Sequence, residues 1–276
     1  MTQDSIKSMK LYSQVDRIHN ELAAAGIGRE GPLKVDDLLA FDQYHYHGTT
    51  ALDLAIARLK LSAESKALEI GSGIGGPARY IADRSGAHVT ALELQSDLNG
   101  LAETLTRRCG LSDRVRNLCG DALKTPLETA AYDAVVSWLA LYHIPDRPML
   151  LARIGATLKP GGGLFVEDLC CRGDFTAEEQ ELVSTKLYGN YTPTIPRYRE
   201  DLEAAGFTDI ETEDMSDDWA AFTHARFEAF LQQRDKNLAT HGRAIVEDLE
   251  EFYGTVDRLF QGGNLAGLRV SARKAA

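Results

Sequence analysis

From Lys66 onward, short apolar runs alternate with stripes of apolar residues at helical spacing. The runs predict strands at Ala67–Ile70, Ala87–Leu92, Val115–Leu118, Tyr132–Trp138 and Gly163–Asp168. The stripes between them predict helices at Pro77–Ser85, Ser96–Cys109 and Arg147–Leu158. Strands and helices that alternate in this way imply an α/β fold, with a parallel sheet covered on both faces and joined by right-handed crossovers. Gly206–Met215 reads as a further strand and Leu268–Arg273 as a short final one. Upstream, Val15–Ala25 carries Ile18, Leu22 and Ala25 on one helical face and stops at Gly26 and Gly28. Thr49–Leu61 is a second amphipathic helix, and the aromatic run Phe41–Gly48 lies between the two. Two helical insertions, Thr176–Tyr188 and Trp219–Phe260, interrupt the rhythm. They either cover the carboxyl edge of the sheet or form the surface of a homodimer. The expected organisation is one domain over 1–276. Residues 1–61 form a helical lid segment, and 62–276 form a core with insertions near 174–195 and 219–260.

Composition narrows the partners. The chain has 276 residues, 44% of them hydrophobic and 26% charged, which suits a globular protein. A net charge of −11 argues against nucleic acid as a partner, because phosphates require Lys and Arg. No stretch has the apolar length that spans a bilayer, so no membrane partner is expected. The opening segment MTQDSIKSMKLYSQ has no apolar core of signal-peptide length. Cys109, Cys119, Cys170 and Cys171 match no zinc spacing, and the adjacent pair reads as buried thiols. A cytoplasmic, reduced protein is the expectation.

The chemistry gathers at the predicted carboxyl ends of the strands. Gly71, Gly73 and Gly76 form G-x-G-x-x-G between a strand and a helix, where glycine permits a tight turn and close approach of a ligand. Glu93 ends the second strand, where an acid can accept from both hydroxyls of a ribose. Asp121 follows the third strand and could accept from an exocyclic adenine amine. Glu69 separates the ligand classes: an acid two residues before the first glycine suits an ammonium and repels a pyrophosphate. That argues against an NAD-dependent oxidoreductase.

With LEIGSGIGG (Leu68–Gly76), LEL (Leu92–Leu94), GDA (Gly120–Ala122), YDAVVSWLALYHIPD (Tyr132–Asp146) and LKPGGGLFVED (Leu158–Asp168), the chain resembles class I S-adenosylmethionine-dependent methyltransferases. The resemblance implies a Rossmann-like, seven-stranded, mostly parallel sheet with an antiparallel last strand, and S-adenosylmethionine as cofactor. It implies cofactor contacts from Gly71, Gly73, Glu93 and Asp121, with Leu94, Ala122 and Leu139 packed around the nucleoside. Ser72 and Gln95 complete the loop contacts. A narrower resemblance, to small-molecule methyltransferases of the sarcosine/dimethylglycine type, rests on the His/Tyr lid, IPRYREDLEAAGF (Ile195–Phe207) and GGNLAGLRVSARK (Gly262–Lys274). It implies methyl transfer to a small amine, such as an amino acid or N-methylated glycine. An oxygen, sulfur or carbon acceptor is the alternative. A non-catalytic S-adenosylmethionine-binding protein is the alternative of another class.

Methyl transfer is an in-line displacement, so alignment in a dry cavity supplies much of the rate. Tyr44 and His45 are expected over the cofactor, and Tyr46 and His47 toward the acceptor, with π faces for a cationic amine or the sulfonium. His143, past the fourth strand beside Tyr142, is the candidate base or orienting group. Arg197 could clamp a substrate carboxylate, and Tyr142, Tyr188 and Tyr191 stand as further acceptor contacts. Trp138 reads as core. No His/Cys/Asp cluster accompanies His45 and His47, so no metal is expected.

Overall fold

The computed structural model describes residues 15–276; the opening segment lies outside the described residues. Seven strands form one sheet in the order β3-β2-β1-β4-β5-β7-β6. They are β1 (Lys66–Ile70), β2 (His88–Glu93), β3 (Val115–Cys119), β4 (Tyr132–Trp138), β5 (Leu158–Cys171), β6 (Phe207–Asp214) and β7 (Leu265–Lys274). β1 to β5 pair in parallel, and β7 runs antiparallel to both β5 and β6. The strand order reverses between β1 and β4, which opens a crevice at the carboxyl edge beside β1.

Strand alternation sorts the core into two layers. Leu68, Ile70 and Val135 face one side, against α5 (Arg147–Thr157) and α7 (Ile195–Ala204). Ala67, Val89, Ala134 and Val136 face the other, against α2 (Thr50–Leu59) and α3 (Gly76–Ser85). α4 (Ser96–Arg108) presents Leu98, Leu101 and Leu105 to Ile18 and Leu22 of α1 (Asp16–Ala24), which docks the N-terminal segment.

Two elements are longer than the sequence pattern predicts. β5 begins at Leu158, taking in the Lys-Pro-Gly-Gly turn, and the register jumps between Tyr132↔Leu158 and Ala134↔Gly163. β7 starts at Leu265, because its pairing with β5 continues to Cys171. Cys170 and Cys171 are buried free thiols on β5.

The insertions cover the carboxyl edge. The first is α6 (Ala177–Thr185), capped by Thr176 and Glu179. The second divides into α8 (Ser216–Gln232), α9 (Arg234–His241) and α10 (Arg243–Gln261). Trp219, Val256, Leu259 and Phe260 pack there with Tyr46 and Tyr142 in a third apolar cluster. Trp219 is fully buried against Gly267, where a Cβ would meet the indole at 2.1 Å. No helix among the described residues is long and apolar enough to cross a membrane.

Candidate active site

Register delivers the acids to one edge. Ile70 pairs with Leu92, and Glu93 with Cys119, so the carboxyl ends of β1, β2 and β3 are neighbours. The glycine loop is tied across this edge: the amides of Gly71 and Ser72 both donate to the Leu92 carbonyl. Gly71 takes φ 75° and lies so close to the loop after β4 that a Cβ would sit 2.3 Å from that of Ala140. Gly76 answers a different need, since a Cβ there would meet the Asp42 carbonyl at 2.2 Å. Asp42 also forms a fully buried ion pair with Arg79 at 2.9 Å, while Arg79 donates to the Ile74 carbonyl. The aromatic lid is thereby fastened to the glycine loop.

A cavity opens at this edge. Glu69, Gly71, Ser72, Gly73, Glu93, Leu94, Gln95, Asp121, Ala122, Leu139, Tyr44 and His143 all line it. Glu69 is fully buried, and neither carboxylate oxygen accepts a hydrogen bond of normal geometry, the Ala78 amide offering only a weak one. Burial, with the nearby charge of Glu93, pushes its pKa up to about 8 against the pull of Arg79. The Glu93 carboxylate accepts from the Gly73 amide at 2.8 Å and the Gln95 amide at 2.9 Å. Burial still raises it to about 7. Asp121 accepts from the Leu123 amide at 2.8 Å, which holds the turn after β3.

These residues fit S-adenosylmethionine. Glu69 is a buried carboxylate short of partners, which costs several kcal/mol unless a cation arrives. The bare backbone of Gly71 to Gly73 leaves room beside it, and Glu93 and Asp121 offer acceptors further along the edge.

A second cavity adjoins the first, and Tyr44 and Leu139 line both. His45, Tyr46 and Tyr142 line the second, together with Arg17 of α1, Phe222 and Arg226 of α8, and Tyr253 of α10. His45 thus faces the second cavity and stacks on Trp138 at 5.4 Å. Its ring nitrogens make no well-formed hydrogen bond, the Gly48 backbone lending only a weak one, and burial lowers it to about 4. Leu139 adopts φ 50°, a left-handed conformation costly for a branched residue, at the junction of the two cavities. The Glu167 carbonyl holds its amide at 2.7 Å.

His143 sits on a short helical turn, Leu141–His143. Its Nδ1 lies 3.0 Å from the Tyr188 carbonyl, so Nδ1 carries the proton and Nε2 the lone pair. Burial lowers it to about 4, so the ring is neutral at pH 7. The segment 188–191 braces this turn: the amides of Asn190 and Tyr191 donate to the Tyr142 carbonyl, and the Asn190 side chain donates to the His143 carbonyl. From below, buried Asp168 accepts from the Tyr142 amide, from Arg147 and from the Tyr198 hydroxyl.

Several residues expected at the site sit elsewhere. His47 pairs with Asp218 at 2.6 Å and lines neither cavity. Arg197 is 59% exposed and paired along its own helix with Asp201 at 2.9 Å and Glu200 at 3.4 Å. The Tyr191 hydroxyl donates to Asp201 at 2.5 Å, and Tyr188 acts through its carbonyl; neither ring lines a cavity. The lid tyrosines already carry cations: Arg17 lies 5.0 Å over Tyr44, and Arg226 lies 5.0 Å over Tyr46.

Other residues were not foreseen from the sequence. Trp138, read as core, lines the first cavity, as do Asp42 and Asn190. Arg226 has a signal in hindsight: Trp219, Phe222 and Arg226 share one helical stripe, where a cation is out of place. Among the described residues no cluster of His, Cys, Asp and Glu is placed to hold a metal ion.

Residues 68–166 match the family model described as a methyltransferase domain. Residues 68–166, on a sheet of Rossmann-like order, are thus similar to a methyltransferase domain. Among its relatives, phosphoethanolamine N-methyltransferase 1 of Arabidopsis thaliana is 27% identical over 70% of this chain and 39% of its own length. The glycine/sarcosine/dimethylglycine N-methyltransferase of Actinopolyspora halophila is 29% identical over 66% of this chain and 32% of its own. The chain thus spans well under half the length of these two curated relatives. Phosphoethanolamine N-methyltransferase 2 of Haemonchus contortus, solved with phosphomonomethylethanolamine and S-adenosylhomocysteine, superposes with a TM-score of 0.77. It is 25% identical, over 85% of this chain and 55% of that one.

Proposed function

We propose that this protein transfers a methyl group from S-adenosylmethionine to the nitrogen of a small amine. The observation that carries this reading is the pair of adjoining cavities. One is dressed with carboxylates from three consecutive strand ends; the other is roofed by α1 and the lid on one side and α8 and α10 on the other. An open groove for a macromolecule would lack such a roof. The N-methyltransferase relatives support an amine over an oxygen or carbon acceptor. When bound, the cofactor supplies an electrophilic methyl on a sulfonium.

The chain's own residues do the rest. Glu69 takes the ammonium of the donor, Glu93 the ribose and Asp121 the adenine edge. Tyr44 and Leu139, common to both cavities, mark where donor and acceptor meet. His143 lines the donor cavity with its lone pair fixed on Nε2 by the Tyr188 carbonyl. With its pKa held at about 4, it is a poor base for an ammonium of pKa about 10. Once the ammonium proton has left to solvent, it accepts a hydrogen bond from the remaining N–H of a primary or secondary amine and aligns the nitrogen lone pair; a tertiary amine has no such N–H and is placed by the cavity walls alone. The roof excludes water, which strengthens that alignment.

The test is methyl transfer from labelled S-adenosylmethionine to glycine, sarcosine, dimethylglycine, ethanolamine and phosphoethanolamine. Labelling of at least one amine is the expected result. Activity confined to phenol or sterol acceptors would remove the amine reading and keep the cofactor one.

A further inference from the structure

We propose that the second cavity is an oxyanion site, in which Arg17 and Arg226 hold a carboxylate or phosphate monoester at the far end of the acceptor. The proposal rests on reading the first cavity as the donor site. Both guanidinium groups line the second cavity, and they come from opposite parts of the chain, α1 and α8. Each stacks on one tyrosine of the lid, Arg17 on Tyr44 and Arg226 on Tyr46. Tyr253 of α10 links them: Arg226 lies 4.7 Å from its ring, and its phenol also meets the charge of Arg17. Among the described residues, neither arginine forms an ion pair with a carboxylate. The Nε of Arg226 is buried without a hydrogen-bond partner. Glu21 is the one carboxylate among the described residues lining this cavity; it is engaged by His241 at 2.9 Å and also meets the charge of Arg17. Burial pushes the phenols of Tyr44 and Tyr46 upward, so they stay neutral and do not cancel the two positive charges.

Two guanidinium groups facing one carboxylate among the described residues leave this cavity with an excess of positive charge, which attracts an anion. The planar fork of arginine suits two oxygens of one group. The rest of the wall mixes apolar Phe222, Leu169 and Val256 with the neutral polar side chains of Gln43, His45 and Tyr142, so among the described residues the two guanidinium groups are its cations at neutral pH. An acceptor anchored there reaches back toward Tyr44 and Leu139 with its other end, which delivers the amine to the donor cavity. This replaces Arg197 as the anchor.

The test uses the full-length protein saturated with S-adenosylhomocysteine. Sarcosine, phosphoethanolamine and ethanolamine are titrated by calorimetry, with inorganic phosphate and acetate as minimal probes. Sarcosine or phosphoethanolamine should bind at least about tenfold tighter than ethanolamine, and whichever binds tells carboxylate from phosphate. Arg17→Gln and Arg226→Gln should each weaken that binding roughly 10- to 100-fold while the affinity for S-adenosylhomocysteine holds. Arg17→Lys and Arg226→Lys, which keep the charge, should lose less and guard against a folding defect. The proposal is overturned if ethanolamine binds as tightly as phosphoethanolamine and sarcosine, or if none of the oxyanions binds. It also fails if the loss falls on Arg197→Ala instead. Failure of S-adenosylhomocysteine itself to bind would mark the donor reading, and not this one, as the fault.

Discussion

Glu69 stores free energy that a cation releases. Its folded pKa of about 8 lies above the ordinary 4.5, so its contribution to stability is full at acid pH and is lost as pH rises through about 8. The empty protein should therefore lose stability between pH 4.5 and 8 through this group. Thermal unfolding at pH 8.5 should find Glu69→Gln more stable than the parent when empty, by about 2–4 kcal/mol. The same variant should show a much smaller upward shift in melting temperature on adding S-adenosylmethionine. A larger shift in the variant would refute the assignment. His143 and His45 act in the opposite sense: held at about 4, below the ordinary 6.5, they stabilise above pH 6.5 and lose that contribution as pH falls through 4. His143→Ala should lower kcat about 10- to 100-fold and leave cofactor affinity within about twofold. The parent pH–rate profile should show no inflection between pH 6 and 7 belonging to this residue.

At the scale of elements, the glycine loop and the lid form one joint. Gly71→Ala would force a methyl into Ala140 at a position with φ 75°, so the loop must move. Calorimetry should find S-adenosylhomocysteine binding weakened at least about tenfold, with the sheet intact by circular dichroism. Asp42→Ala leaves the Arg79 guanidinium buried and unpaired, and urea unfolding should register a loss of about 3–5 kcal/mol. A loss below about 1 kcal/mol would mean that lid and loop are not joined through this pair. The strands and the G-x-G-x-x-G turn were legible because period and glycine spacing are local. The Asp42–Arg79 pair was not, since it joins residues 37 positions apart. Nor was the start of β7 at Leu265, which follows from pairing with β5.

On the scale of the molecule, the fold divides the work between two ends of the chain. The sheet edge from Glu69 to Asp121 builds the first cavity, the proposed donor site. The roof over the second cavity, the proposed acceptor site, comes from α1 and the lid on one side and α8 and α10 on the other. His47 and Asp218 join these parts on the outside. His47→Ala opens that link without touching either cavity, so it should raise the KM for the acceptor about threefold and leave donor affinity unchanged. A kcat loss greater than tenfold would place His47 nearer the chemistry than its exposed ion pair suggests.

The sequence by itself determined the order of strands and helices along the chain and marked Glu69, Glu93 and Asp121 as candidates for the donor site. Each of these depends on a residue's distance from a strand end, which chain order encodes. Tertiary structure decided the acceptor side. Arg17 and Arg226 lie 209 residues apart and meet one cavity only because α1 and α8 close over the same edge. Arg197, placed by its motif, turned outward because α7 presents that face to water and to Asp201. Which of three arginines faces a cavity is a matter of helix orientation, and no local pattern of residues specifies that.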